Sequence, residues 1–453
     1  MSGKLSFSVA ADSLFLPKIA NLGPSRDPGH VPSVVGQGKK NMSALIDSAL
    51  SASPFGVPAM RQAVQDLRFS SIREVANAGI GRSDILPFWF GEPDRQTPAF
   101  ICEAAQASLA AGETFYTPNL GEAALRAALS RYLSHWHRPV DEHRIAVTNS
   151  GVSALMLAAQ SLYSPGDRVV AVTPVWPNLV EIPKILGASV TEVSLILRRH
   201  GQDGVSWHLD MDMLLAALTP DTRAIIINSP NNPSGWVMPA EQQRAILDHC
   251  RRHGIWIVSD EVYGRLWFDG GPERGAPSFL DIADPGDRLI VVNSFSKTWL
   301  MTGWRLGWLV VPETLTPALG KLIEYNSSCA PAFVQKAGIA AVEGGEPVLR
   351  ETLTRYRASR DFLYRQLNDT PGVETPLPEG AMYVFFRVGG LRDSLAFCKA
   401  LVAGAGLGLA PGSAFGPAGE GCIRWCFASS LDKLELGMTR FRAFLADNPP
   451  AKY

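Results

Sequence analysis

Two apolar rhythms alternate along most of this chain. Short runs rich in β-branched residues have the length of buried strands, at 144–148, 168–172, 223–227, 255–258 and 289–292. Between them apolar residues recur three and four apart, the period of a helix with one buried face. Leu125, Leu129 and Tyr132 form one such face. Strands alternating with helices predict an α/β fold with a mostly parallel sheet flanked by helices. The rhythm changes past residue 313. Helical periods run to about 370, a strand follows at 381–387, a helix at 393–403 and a strand at 422–426. Upstream, a helical pattern spans 57–78 and an apolar stretch at 87–90 reads as a strand. Residues 1–56 are rich in Ser, Pro and Gly and carry no sustained period, which predicts a disordered extension. Asp12 interrupts the only early apolar run and argues against a secretory signal.

Composition narrows the function. A net charge of −1 and a pI near 6.7 give no electrostatic case for nucleic acid or an anionic membrane. No apolar run approaches the roughly 20 residues that a membrane span needs. The six cysteines contain no CxxC pair, so buried free thiols in a reducing cytoplasm are expected. His135 and His137, two apart, fall on different sides of a helix and do not suit a metal.

Candidate chemistry gathers where predicted strands end, as open α/β sheets place their ligands. The run at 289–292 leads into Asn293-Ser294-Phe295-Ser296-Lys297, and Arg305 follows inside Gly303-Trp304-Arg305-Leu306-Gly307. A lysine amine can form an imine with an aldehyde, and an arginine can grip phosphate oxygens in pairs. Asp260, in Ser259-Asp260-Glu261-Val262-Tyr263, is a carboxylate at a buried strand end, which is costly unless paired. Asn149-Ser150-Gly151-Val152 opens a helix with free backbone N–H groups, a suitable phosphate site. Neither GxGxxG nor a Walker lysine is present, so a nucleotide is not indicated. Trp176 could stack on a flat ring. Arg424 is a charge inside an apolar strand.

Taken in order, Gly91-Glu92-Pro93-Asp94, the YTxxxG at Tyr116, the Gly151 turn, Asn232-Pro233-Ser234-Gly235, Asp260 with Tyr263, and the Lys297–Arg305 stretch resemble the class I/II aminotransferases. These are fold-type I enzymes that use pyridoxal 5'-phosphate, PLP. The resemblance covers about residues 57–446, with Ser234 standing where the family's loop carries Thr. It implies a large PLP-binding domain at 104–329 and a smaller α+β domain made of 57–103 and 330–453. It implies that Lys297 joins the cofactor, that Ser294, Arg305, Gly151 and Val152 hold its phosphate, and that Trp176 stacks on its ring. Asn232 and Tyr263 would meet the ring 3-oxygen, and Asp260 the ring nitrogen. Gly91 and Arg424 would face the substrate carboxylate, and Trp176 and Asn232 would also contact the substrate. Tyr116 would reach the neighbouring site of a homodimer. The substrates would be an amino acid and a 2-oxo acid. PLP lyases share the fold, and PLP-binding regulators share the domain; residues 1–56 are too short for the winged-helix domain that such regulators carry.

Overall fold

The computed structural model describes residues 60–201, 204–270 and 273–453. The expected extension at 1–56 lies outside the described residues. Seven strands build the main sheet: Ile145–Thr148 (β1), Arg168–Thr173 (β2), Ser189–Ser194 (β3), Thr222–Asn228 (β4), Trp256–Asp260 (β5), Leu289–Ser294 (β6) and Gly307–Val310 (β7). Their spatial order is β1-β7-β6-β5-β4-β2-β3, with β7 antiparallel to both of its neighbours and the other pairings parallel. The central strands are buried on both faces, which is why they read as continuous apolar runs. Helices Gly151–Leu162 and Asn178–Ile185 pack on one face. Helices Ala123–Trp136 and Ala240–His253 belong to the core of the other.

A second sheet follows: Val373–Glu374 (β8), Tyr383–Val388 (β9), Ala410–Pro411 (β10) and Cys422–Cys426 (β11). It is antiparallel throughout, in the order β8-β9-β11-β10. Helices Ser71–Ala78, Glu346–Asn368, Ser394–Ala405 and Leu431–Asp447 share its core, where Phe385, Phe386, Phe397 and Trp425 are fully buried. Helix Ala99–Ala110 packs on helix Ala332–Gly344, and both contribute to the core of the seven-stranded sheet. The expected limit at 103 falls inside the first of these helices, and the one at 330 just before the second.

Two local expectations are corrected. The helical pattern at 57–78 breaks in its described part into Gln62–Gln65 and Ser71–Ala78, because Ser70 turns the chain and caps the second helix by accepting the Arg73 N–H. The strand at 87–90 shrinks to Leu86–Pro87, paired with Leu407–Gly408. Pro87 supplies no N–H to a ladder, and Phe88 and Trp89 turn into the smaller core instead.

Candidate active site

The C-terminal ends of β1, β2, β4, β5 and β6 and the inward faces of β9 and β11 surround one cleft of about 660 Å³. Every residue singled out above as a site candidate lines it, except Tyr116. Tyr116 is 90 % exposed on this chain.

Lys297 sits in the four-residue helix Phe295–Thr298, directly after β6. Its amine donates to the Gly91 carbonyl at 2.6 Å. Burial lowers its pKa to about 8, against the pull of Cys426 and Glu92. A free amine is therefore within reach near neutral pH, as a nucleophile or proton carrier needs. Gly91 can lie here only as glycine, because an added Cβ would fall 1.9 Å from the Tyr383 hydroxyl oxygen.

Asp260 ends β5 and is 2 % exposed. Its carboxylate accepts a single hydrogen bond among the described residues, from the Val262 N–H at 3.3 Å. Burial raises its pKa to about 7; that amide and Lys297 oppose the rise, and Glu261 adds to it. A carboxylate so placed calls for a cationic or proton-bearing partner within the cleft. Glu261 faces the other way, into a closed network with Ser259 and Ser278.

Tyr263 is buried, and its phenol is pushed far up by that burial. Its hydroxyl lies 2.7 Å from that of Tyr383. Asn232 accepts from Arg424 Nη1 at 3.0 Å, while its own N–H donates to Asn228 at 2.7 Å. Arg424, in the middle of β11, also donates to the Trp89 carbonyl and leaves its buried Nε without a partner among the described residues. Trp176 forms part of the wall between β2 and the helix that follows.

One end of the cleft collects donors. Gly151 and Val152 open a helix whose first amides have no partner inside the helix. Gly307 admits this turn against β7, since a Cβ there would meet the Gly151 nitrogen at 2.7 Å. At the end of β6 the Ser294 hydroxyl donates to the Ser296 hydroxyl and accepts the Ser296 N–H. Arg305 is exposed and left-handed, at φ 54°, and donates to the Thr302 carbonyl at 2.6 Å.

The donor set fits PLP. Two amides, two serine hydroxyls and an arginine suit its phosphate, and the underserved Asp260 suits a protonated ring nitrogen. Ser296, inside the Asn293–Lys297 stretch, also lines the cleft, as do Tyr383 and Asn228, which were not singled out from sequence. Asn228 sits beside a motif that was read, in the same strand-to-loop turn. Tyr383 carried no signal beyond its place in an alternating strand.

Residues 83–441 match the family model for aminotransferase class I and II. An aspartate aminotransferase of Musicola paradisiaca is 33 % identical over 355 residues, covering 77 % of this chain and 86 % of that one. An arginine–pyruvate transaminase of Pseudomonas aeruginosa is 35 % identical over 367 residues, covering 80 % and 89 %. The crystal structure of an aspartate aminotransferase from Thermotoga maritima superposes with a TM-score of 0.78 at 30 % identity, covering 85 % of this chain and all of that one. These names support transamination and not lyase chemistry. The chain belongs to the class I and II aminotransferases: it has the fold-type I architecture and is a PLP-dependent enzyme that moves an amino group between an amino acid and a 2-oxo acid.

Proposed function

We propose that the cleft residues divide the transfer between two groups, with Lys297 and Asp260 serving the cofactor and Arg424 the substrate. The observation that carries this reading is Asp260, a buried carboxylate with one amide donor, in the same cleft as an uncharged-prone lysine. When bound, PLP draws electron density from the Cα of an attached amino acid and weakens its Cα–H bond. Lys297 Nζ would hold the cofactor through its aldehyde carbon and, once the amino donor has displaced it from that carbon, would be the free base that takes the Cα proton. Asp260 holds a proton on the ring nitrogen, so that the ring stays an electron acceptor. Tyr263 and Asn232 donate toward the 3-oxygen. Gly151, Val152, Ser294 and Arg305 anchor the phosphate, and Trp176 covers the ring. Arg424 takes the substrate carboxylate, aided by Gly91 and Asn232.

The proposal extends to assembly and place. Phe115, Tyr116 and Tyr325 are 85 %, 90 % and 90 % exposed, apolar surface that a second copy would cover. A homodimer with Tyr116 reaching the neighbouring phosphate accounts for its absence from this chain's own cleft. A cytoplasmic setting agrees with six free cysteines. Among the described residues no helix is long and apolar enough to cross a membrane. A large domain bounded near 99 and 344, with the smaller domain on either side of it, follows the two cores.

Borohydride reduction of the PLP-loaded protein, followed by peptide mapping, tests the assignment. The label is expected on Lys297. A label on any other lysine would reject it.

A further inference from the structure

Tyr383 has no part in the chemistry above, yet it touches three groups that do. It lies in β9 opposite Cys426 and is 1 % exposed. Its hydroxyl is 2.7 Å from that of Tyr263, with the two rings edge to face. The Arg424 guanidinium carbon sits 4.5 Å from its ring centroid. Gly91, whose carbonyl holds the Lys297 amine, passes so close to its oxygen that no Cβ fits between them.

A phenol has one proton to give. The Tyr383 oxygen has no other hydrogen-bond partner among the described residues. Asp260, Lys297, Arg424, Glu92 and Cys426 surround the tyrosine pair, and none of them hydrogen-bonds the Tyr383 hydroxyl. For Tyr263 to direct its proton at the ring 3-oxygen, it must receive the bond from Tyr383 and not give it.

We propose that Tyr383 is a positioning residue with two separable actions. Its hydroxyl donates to Tyr263 and so aims the Tyr263 proton at the 3-oxygen. Its ring holds the Arg424 guanidinium flat for the substrate carboxylate. This rests on the roles given to Tyr263 and Arg424 above.

The test compares Tyr263→Phe, Tyr383→Phe and Tyr383→Leu holoenzymes with the parent. The first readout is the pH midpoint of the visible absorbance of bound PLP. A phenol donating to the 3-oxygen withdraws negative charge that otherwise helps to hold a proton on the Lys297 nitrogen. Weakening that donation therefore moves the midpoint up. Tyr263→Phe should shift it most, and Tyr383→Phe by about half a unit, a fraction of one neutral hydrogen bond. The second readout is KM for the amino donor. Tyr383→Phe keeps the ring and should leave KM at the parental value. Tyr383→Leu removes the ring and should raise KM roughly threefold to tenfold. A shift in Tyr263→Phe with none in Tyr383→Phe overturns the relay and leaves the Tyr263 assignment standing. Equal KM values in Tyr383→Leu and Tyr383→Phe overturn the action on Arg424. An unmoved midpoint in both phenylalanine variants removes the Tyr263 reading, and the proposal falls with it.

Discussion

The two sheets meet the cleft in different ways. The seven-stranded sheet presents charges with little to hold them: Asp260 has one amide at 3.3 Å, and Lys297 has one carbonyl. The smaller sheet presents a cation held on several sides. Arg424 reaches Asn232 and the Trp89 carbonyl, and its guanidinium lies over the rings of Tyr383 and Phe415 at 4.5 and 4.9 Å. Groups of the first kind are costly to bury and ready to change protonation. Arg424, proposed above for the substrate carboxylate, is of the second kind and is already held in one orientation. Reactivity and rigidity are thus assigned to different sheets, and the cleft between them brings both to one substrate.

The largest effect expected is from Lys297→Ala. Nucleophile and proton carrier are lost together, so turnover should fall by more than about 10⁴-fold. Far-UV circular dichroism should stay parental, since the side chain makes one hydrogen bond. Arg424→Leu comes next. It removes the receptor and leaves the Asn232 side chain and the Trp89 carbonyl short of a donor, so kcat/KM should fall about 10²–10³-fold. PLP affinity should change much less, because the donors assigned to PLP's phosphate lie elsewhere. Comparable losses of PLP and donor binding would erase the division between the sheets.

A stability measurement sharpens the same contrast. In the folded apoenzyme Asp260 titrates near pH 7, against about 4 in an unfolded chain. The folded state therefore binds this proton more tightly than the unfolded one. Its contribution is most favourable below pH 4 and is lost as pH rises to 7, by up to about 4 kcal/mol across the three units. Asn does not titrate. Urea unfolding of apo Asp260→Asn should gain on the parent across that window, and parallel curves would mean that Asp260 is already well paired. The smallest effect is expected from Trp176→Phe. It keeps an aromatic face toward the ring and should weaken PLP binding by roughly threefold to tenfold, as equilibrium titration can read.

The contrast also explains what was legible from sequence. Lys297, Asp260, Gly151 and Asn232 stand at strand ends, where an apolar run stops abruptly and a polar or glycine residue is conspicuous. The order of those turns resembled a family closely enough to carry fold and cofactor. Arg424 was visible as a charge within an apolar strand. Tyr383 was not visible, because a tyrosine in an alternating strand looks like any core aromatic, and its link to Tyr263 spans 120 residues. The break before Ser71 and the loss of strand beyond Pro87 turned on a cap and a missing N–H, which apolar periodicity does not register. The helix pair at 99–110 and 332–344 joins two distant segments whose periods say nothing about which sheet they cover.

The central claim is that Asp260 acts through its charge. Asp260→Asn keeps the shape and can still hydrogen-bond, but it cannot stabilise a proton on the ring nitrogen. Single-turnover conversion of bound PLP to its amino form, followed by absorbance after mixing with an amino donor, reads this directly. Asp260→Asn should slow that conversion by about 10²-fold or more, the scale of a lost acid–base contribution, with PLP affinity reduced far less. Asp260→Glu should recover part of the rate. A rate near the parental value in Asp260→Asn would show that the carboxylate only caps the turn at Val262, and would contradict the account.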